Sequence, residues 1–292
     1  MSYILSCEST VDMPFARVDA RGIPVLFYSY TVNGNEYPDN MDRDPEAFER
    51  FYEFLQTEIP STSQINEFKY IDFFSELLEK GDVIHLTFGS GMTTSIQGAL
   101  AAADKLRGKY PDRKLIVLDT LCSSSGYGLL VDGAADLRDQ GKTIDEVAEW
   151  VKEMRGKVHH EFFSTDLKYF RKSGRMSGGA ATVATILNIC PILRLDAAGK
   201  IIAYDKVRGK KNAINYILGK MASHAIDGEN YSGKVFISHS NVIEDAMDTK
   251  KAIESCFKNI DGEVQIFNIG TIIASHTGPG TVAVFYFGDE RE

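Results

Sequence analysis

The stretch Val83–Leu100, VIHLTFGSGMTTSIQGAL, decides how this chain is read. Val83 to Phe88 is an apolar run of strand length, and Ile96 to Leu106 carries the apolar spacing of a helix. Between them lie Gly89-Ser90-Gly91 and Thr93-Thr94-Ser95, residue types that suit a tight turn and a helix start. Strand, hydroxyl-rich turn and helix make up half of a βαβ unit, and the same grammar recurs on either side.

Upstream, Tyr3 to Ser6 and Ile23 to Tyr30 read as strands, and Asn33-Gly34 as a hairpin turn. Asp44-Pro45 reads as an N-cap followed by proline at the first helical position, with Phe48, Phe51, Tyr52 and Leu55 as the apolar stripe. A second helix carries Ile71, Phe74 and Leu78. Downstream come a strand at Leu115–Leu118 and helices at Gly128–Leu137 and Ile144–Met154. This alternation predicts a parallel, doubly wound, Rossmann-like sheet.

After Lys157 the pattern changes. His160–Phe163 reads as a strand, with Ser164 capping a helix that Ser173-Gly174 stops, and Ala180–Leu187 as another helix. Asp196-Ala197-Ala198-Gly199 joins two strand-like runs as a hairpin. Helices follow around Ile214–Met221 and Ala246–Phe257, and strands at Val235–Ser238, Val264–Ile269 and Val282–Phe287. Ile273–Gly280, IASHTGPG, reads as the end of a strand-like segment entering a Gly-Pro-Gly turn. The expectation is a two-domain α/β protein. Residues 1–157 form the parallel-sheet domain, and residues 158–292 an α+β domain with a mixed or antiparallel sheet.

The chain has 292 residues, 43% of them hydrophobic, which is enough to bury a real core. A net charge of −9 argues against a nucleic-acid or anionic-membrane binder, since phosphate recognition needs clustered positive charge. Membrane contact is expected to be transient at most. Cys7, Cys122, Cys190 and Cys256 are far apart, without metal-binding spacing, and are expected to be buried thiols. The opening MSYILSCEST lacks the apolar core of a signal peptide, and no stretch reaches the ~20 apolar residues of a membrane span. A soluble, cytoplasmic protein is the expectation.

In an open parallel sheet, ligands bind at the carboxyl ends of the strands. Ser9-Thr10, Gly89–Ser95, Thr120 and Ser123–Ser125 all follow strands, and Ser61–Gln64 adds a further hydroxyl cluster between two helical patterns. Together they favour an anionic or polar head group; singly, each also serves as an N-cap or turn. Arg175, in the glycine-rich KSGRMSGG, is placed either to clamp an anion or to sit in solvent beyond a helix end. The basic run Arg208–Asn212 reads as a solvated face. His276 is open to three readings, a catalytic base, a ligand-holding group or a turn residue. No G-x-S-x-G elbow, H-E-x-x-H pair or nucleotide-phosphate loop is present. Adjacent His159 and His160 would point to opposite faces of a strand, so one metal cannot use both, and neither metal nor cofactor is expected.

Taken in order, six segments resemble the DegV family, bacterial proteins that bind fatty acids. CESTVDMP is similar to the opening D-S-T-x-D-L-P, STSQIN to T-S-Q-P, and HLTFGSGMTTSIQGA to S-S-x-L-S-G-T-Y-Q-S-A. DLKYFRKSGRMS looks like D-L-x-Y-L-x-K-G-G-R-I-S, LNICPIL like L-N-I-K-P-I-L, and SHTGPG like H-x-G-P-G. The chain departs from these patterns at Glu8, Ile65, Gly89, Thr94, Ile96 and Ser173, and by the resemblance Thr94 in place of glycine would crowd the head-group site or add a hydroxyl to it.

The resemblance implies a long-chain fatty acid buried between two α/β domains. It implies a carboxylate held by hydroxyls of the T-S-Q and S-G-T segments, here Thr62, Ser63, Thr93, Thr94 and Ser95, with Arg175 and His276 at the head-group end. It implies further that the protein carries lipid for a separate ATP-using fatty acid kinase subunit, with no catalytic residue of its own and with Arg208 facing that partner. Burying ~14 methylenes at about 0.8 kcal/mol each gives roughly 11 kcal/mol gross. A hydrogen bond contributes only about 0.5–3 kcal/mol net. The tail would therefore set affinity and the hydroxyls orientation. The rival expectations are an acyl ester hydrolase or transferase using a Ser/Thr hydroxyl with His276, and a lipid sensor without a kinase partner.

Overall fold

In the computed structural model, which describes residues 3–176 and 188–292, strand β1 (Ile4–Glu8) and strand β6 (Val83–Thr87) lie side by side in parallel, Leu5 opposite Ile84. Every residue of β6 is buried, as expected of a strand covered on both faces. β2 (Val25–Leu26) and β7 (Leu115–Asp119) complete a parallel sheet of order β2-β1-β6-β7. Around it run helices α1 (Phe15–Ala20), α3 (Glu67–Leu78), α4 (Ser95–Lys109), α5 (Ser124–Asp139) and α6 (Ile144–Met154). The α6 start is a capping box between Thr143 and Glu146.

A small antiparallel sheet stands beside the parallel one, with β3 (Ser29–Val32) between β4 (Asn35–Pro38) and β5 (Ser61–Ser63). Asn33 and Gly34, both at positive φ, turn β3 into β4 as the dipeptide predicts. Helix α2 (Pro45–Thr57) starts on the Asp44 cap, whose side chain accepts from the Glu46 N–H. The Ser61–Gln64 cluster was expected between helices without a strand. It pairs instead with β3, Tyr30 opposite Thr62, because a short polar strand has no apolar alternation to mark it.

From Val158 onward the chain builds a six-stranded sheet of order β10-β9-β8-β13-β11-β12. Its strands are β8 (Val158–Ser164), β9 (Ile189–Leu195), β10 (Ile201–Arg208), β11 (Phe236–His239), β12 (Gln265–Asn268) and β13 (Thr281–Phe287). All pairs are antiparallel except β11–β12. The helices of this half are α7 (Lys168–Ser173), α8 (Lys210–His224), α9 (Ile243–Cys256) and α10 (Thr271–Thr277). An α/β protein with a parallel sheet and a separate mixed sheet is thus the architecture.

Period-2 alternation divides the mixed sheet between two cores. Phe163, Ile192, Val284 and Tyr286 face α8 and α9, while Phe162, Leu193, Ala283 and Phe285 join the core that continues into the parallel-sheet half. That inner face is where a site between the two sheets can form.

Three further expectations are corrected. Ile273–Thr277 belongs to helix α10, not to a strand. Thr271 to Ser275 and Thr277 are all buried, and an apolar run buried all round carries no period that tells helix from strand. Ser164 ends β8 instead of capping α7, and the Lys168 N–H is taken by the Asp166 carboxylate at 2.7 Å. Cys256 is exposed, because α9 ends there and Phe257 turns inward in its place. The helix expected at Ala180–Leu187, and the part of the glycine-rich segment beyond Met176, lie outside the described residues.

Candidate functional site

Helix α10 packs against β3, β5, α2 and α7, and this crossing carries His276 from the second half of the chain to the small sheet of the first. There the His276 Nε2 lies 2.8 Å from the Thr62 Oγ1. The Gly-Pro-Gly turn that follows is tight for a specific reason. Gly278 has φ 65°, and a Cβ on it would lie 2.0 Å from the Tyr169 ring. Burial, and after it the Arg175 charge, pushes the His276 imidazole down to about 4, so it is neutral near neutral pH. Among the described residues its buried Nδ1 has no hydrogen-bond partner.

The loop after β6 closes the opposite side. The Thr93 Oγ1 accepts from the Ser95 N–H at 3.2 Å and lies 3.1 Å from the Ser95 Oγ, which itself accepts from the Ile65 N–H at 3.0 Å. Ser95 therefore knits the two hydroxyl segments together. Thr94, exposed, reaches the Gln64 amide oxygen. The result is a cavity of about 630 Å³ whose lining includes Thr62, Ser63, Thr93, Thr94, Arg175 and His276. Of the residues singled out in the sequence, Ser95 sits behind this wall, buried, and Arg208 is elsewhere, exposed at the end of β10. Arg175 is exposed at the rim, its Nη1 donating to the Ser173 carbonyl at 2.7 Å.

Sequence reading missed three participants. Tyr28 lines the cavity, and its phenol donates to the Glu8 Oε2 at 3.2 Å. Burial first, then Glu8, raises the Tyr28 phenol well above its ordinary range, while the Ser95 and Thr93 hydroxyls pull the other way. Glu8 is fully buried at the end of β1 and also accepts from the Tyr70 hydroxyl and the Phe88 N–H. Its signal was present as a lone acid closing an apolar strand. Lys200, at the β9–β10 hairpin, adds a second positive charge to the lining.

Inward from this mouth lies a narrow apolar cavity of about 50 Å³ between the two sheets. Ser123, Ile201, Ile273 and Thr277 border both spaces, so the two adjoin. The inner walls include Phe162, Phe170, Leu195, Ile269, Ala283 and Phe285. His160 also faces it. Its Nε2 accepts from the Ser123 N–H at 3.1 Å, so its Nδ1 is the donor to the Val158 carbonyl at 2.9 Å. Burial keeps this imidazole well below its ordinary pKa, as a neutral wall element.

The arrangement is a hydroxyl- and cation-lined mouth continuing into an apolar slot. It suits an amphiphile with a small anionic head. It suits nucleophilic chemistry poorly. Thr62 and His276 are close enough for a nucleophile–base pair, but no carboxylate orients the imidazole among the described residues, and a base at about 4 is far from the near-neutral optimum.

A family model described as "Uncharacterised protein, DegV family" matches residues 5–289. A DegV domain-containing protein of Clostridium perfringens is 32% identical, with 99% of each chain covered. One from Lactococcus lactis is 29% identical, covering 98% of this chain and 97% of the relative. Among solved structures, a DegV lipid binding protein from Thermotoga maritima superposes with a TM-score of 0.84 at 25% identity over the full length of both chains. A DegV family protein from Thermus thermophilus, described by its fatty acid binding, superposes with a TM-score of 0.87 at 24% identity, over 99% of this chain and 100% of that one.

Proposed function

The chain belongs to the DegV family, and on that premise we propose that it binds a long-chain fatty acid, tail inward, and presents the carboxylate to a partner ATP-dependent kinase. The observation that carries this reading is the continuity of the Thr62–Thr93–His276 mouth with the slot walled by Phe162, Phe170 and Phe285.

The division of roles follows from chemistry. A carboxylate takes hydrogen bonds from Thr62, Thr93 and, through whichever ring nitrogen carries the proton, His276; Arg175 and Lys200 supply the compensating charge at the rim. Ser63 and Thr94 are exposed, which leaves the carboxylate end reachable by a second protein. Transfer of the γ-phosphoryl group of ATP to one carboxylate oxygen would yield an acyl phosphate and ADP, with the tail never leaving its slot. The acyl chain must part the slot's side chains to enter, since about 50 Å³ is far less than a long tail fills. The exposed Arg208 is assigned to the kinase-facing surface, away from the mouth lining.

Native mass spectrometry of protein as purified, delipidated and re-exposed to fatty acid tests the binding. One acyl chain per protein is expected, and a protein that never takes up a fatty acid overturns it. Adding ATP and a candidate kinase subunit to the loaded protein tests the second step. Tight lipid binding without acyl phosphate, whichever cognate subunit is supplied, would make the protein a lipid sensor instead.

A further inference from the structure

His159 and His160 do point to opposite faces of β8, and the outer one has company. The His159 ring stacks on Tyr286, 5.1 Å between centroids at 8°, and faces the ring of His224, the last residue of α8, at 5.3 Å and 24°. Asp289, just past β13, reaches both. Its Oδ1 is 3.0 Å from the His159 Nε2, and its two oxygens are 3.3 and 3.2 Å from the His224 Nδ1. One ligand atom from each of the three residues lies within 4.8 Å of the other two.

The cluster is held in place by its backbone. The Asp289 N–H donates to the His224 carbonyl at 2.9 Å, and the Gly288 N–H to the Lys157 carbonyl at 2.8 Å. Gly288 is required for this approach, because a Cβ there would lie 2.3 Å from the His224 carbonyl oxygen and 2.7 Å from the His159 ring. Side-chain exposure rises from 6% at His159 through 25% at His224 to 60% at Asp289, so the cluster meets solvent at its Asp289 end.

We propose that His159, His224 and Asp289 bind one divalent transition-metal ion, zinc foremost, through the Nε2, the Nδ1 and a carboxylate oxygen, with water as the fourth ligand. Bonds of 2.0–2.1 Å put tetrahedral zinc ligands about 3.3 Å apart. The nitrogen–oxygen spacings of 3.0 to 3.3 Å already match this, and the two ring nitrogens, within 4.8 Å of each other, close on the ion by side-chain rotation. Two imidazole nitrogens favour such an ion over magnesium or calcium, which prefer all-oxygen shells.

The ion's role is structural. It lies on the face of the mixed sheet opposite the apolar slot and ties together β8, the end of α8 and the chain terminus. That terminus carries the buried Arg291, whose Nη2 donates to the Leu121 carbonyl at 2.9 Å and the Arg155 carbonyl at 3.1 Å, so it straps the mixed-sheet half to the parallel-sheet half. Zinc would clamp the strap.

The test uses the full chain without a histidine tag and with Cys256→Ser, which removes the exposed thiol. Calorimetric titration with zinc chloride should show one equivalent bound, a rise in Tm, and the visible spectrum of a four-coordinate site when cobalt(II) is substituted. His224→Ala and Asp289→Asn should each lose that equivalent and the Tm rise, while keeping the parent's circular dichroism and fatty-acid uptake. A parent protein that binds no stoichiometric zinc, or variants that bind it as the parent does, overturns the assignment.

Discussion

At the mouth, Thr62 meets His276 at 2.8 Å and Thr93 is held at 3.1 Å by the Ser95 hydroxyl behind the wall, whereas the slot further in is walled by Phe162, Phe170, Leu195 and Phe285. The mouth is assembled from β5, the β6–α4 loop and α10; the slot comes largely from the inner face of the mixed sheet, closed by α7 and the buried side of α10. Directional contacts at one end and non-directional burial at the other imply separable roles. In the proposed function, the slot holds the lipid and the mouth aims it.

Blocking the slot should have the largest effect. Ala283→Trp puts an indole where β13 faces the cavity, and displacing even half of a bound chain forfeits about 5 kcal/mol of burial, so fatty-acid retention should fall at least 100-fold. Displacement of a fluorescent fatty acid measures it, with circular dichroism confirming the fold. Retention at the parental level would show that the tail lies elsewhere.

Next comes His276→Ala. Loss of one hydrogen bond should weaken retention by about tenfold or less. Misplacing the carboxylate should slow acyl-phosphate formation by about 10²-fold. Equal losses in the two assays would erase the distinction between mouth and slot.

Stability against pH sharpens the comparison from another side. His276, lowered from 6.5 to about 4 in the fold, is more readily protonated when unfolded, so its contribution makes stability rise as pH rises from 4 to 6.5. Glu161, buried and raised from 4.5 to about 7, works in the opposite sense, losing stability as pH rises from 4.5 through 7. The two contributions largely offset each other in the parent. Relative to the parent, His276→Asn should therefore lose, and Glu161→Gln should gain, roughly 2 kcal/mol between pH 4.5 and 6.5, read from urea midpoints. Slopes unchanged in both variants would mean that neither group titrates as its burial requires.

The smallest effect belongs to Thr62→Val, which removes one hydroxyl. A loss of roughly fivefold in affinity is expected, with tail-length preference unchanged. A shift in that preference would place Thr62 against the tail.

Of this contrast, the mouth's hydroxyl residues and the β6–α4 unit are legible in the sequence alone. The β6–α4 unit announced itself because a fully buried strand, a hydroxyl turn and an amphipathic helix follow each other within Val83–Leu106. Asn33-Gly34 and Asp44-Pro45 worked because turn and cap chemistry is local. α10 was misread because its burial on all sides leaves no period, and β5 passed unseen because three hydroxyl residues have no alternation. Tyr28 and Glu8 could not be placed at the site, since what brings them there is pairing across the chain. The slot was illegible for a similar reason. Its phenylalanines look like every other core residue until the sheets are stacked.

The most direct test of the tail-in, head-out arrangement is NMR of the bound fatty acid, labelled with carbon-13 at the carboxylate in one sample and at the terminal methyl in another. His276→Ala should move the carboxylate resonance and leave the methyl resonance where it is in the parent protein. A methyl that shifts while the carboxylate stays put would contradict the account.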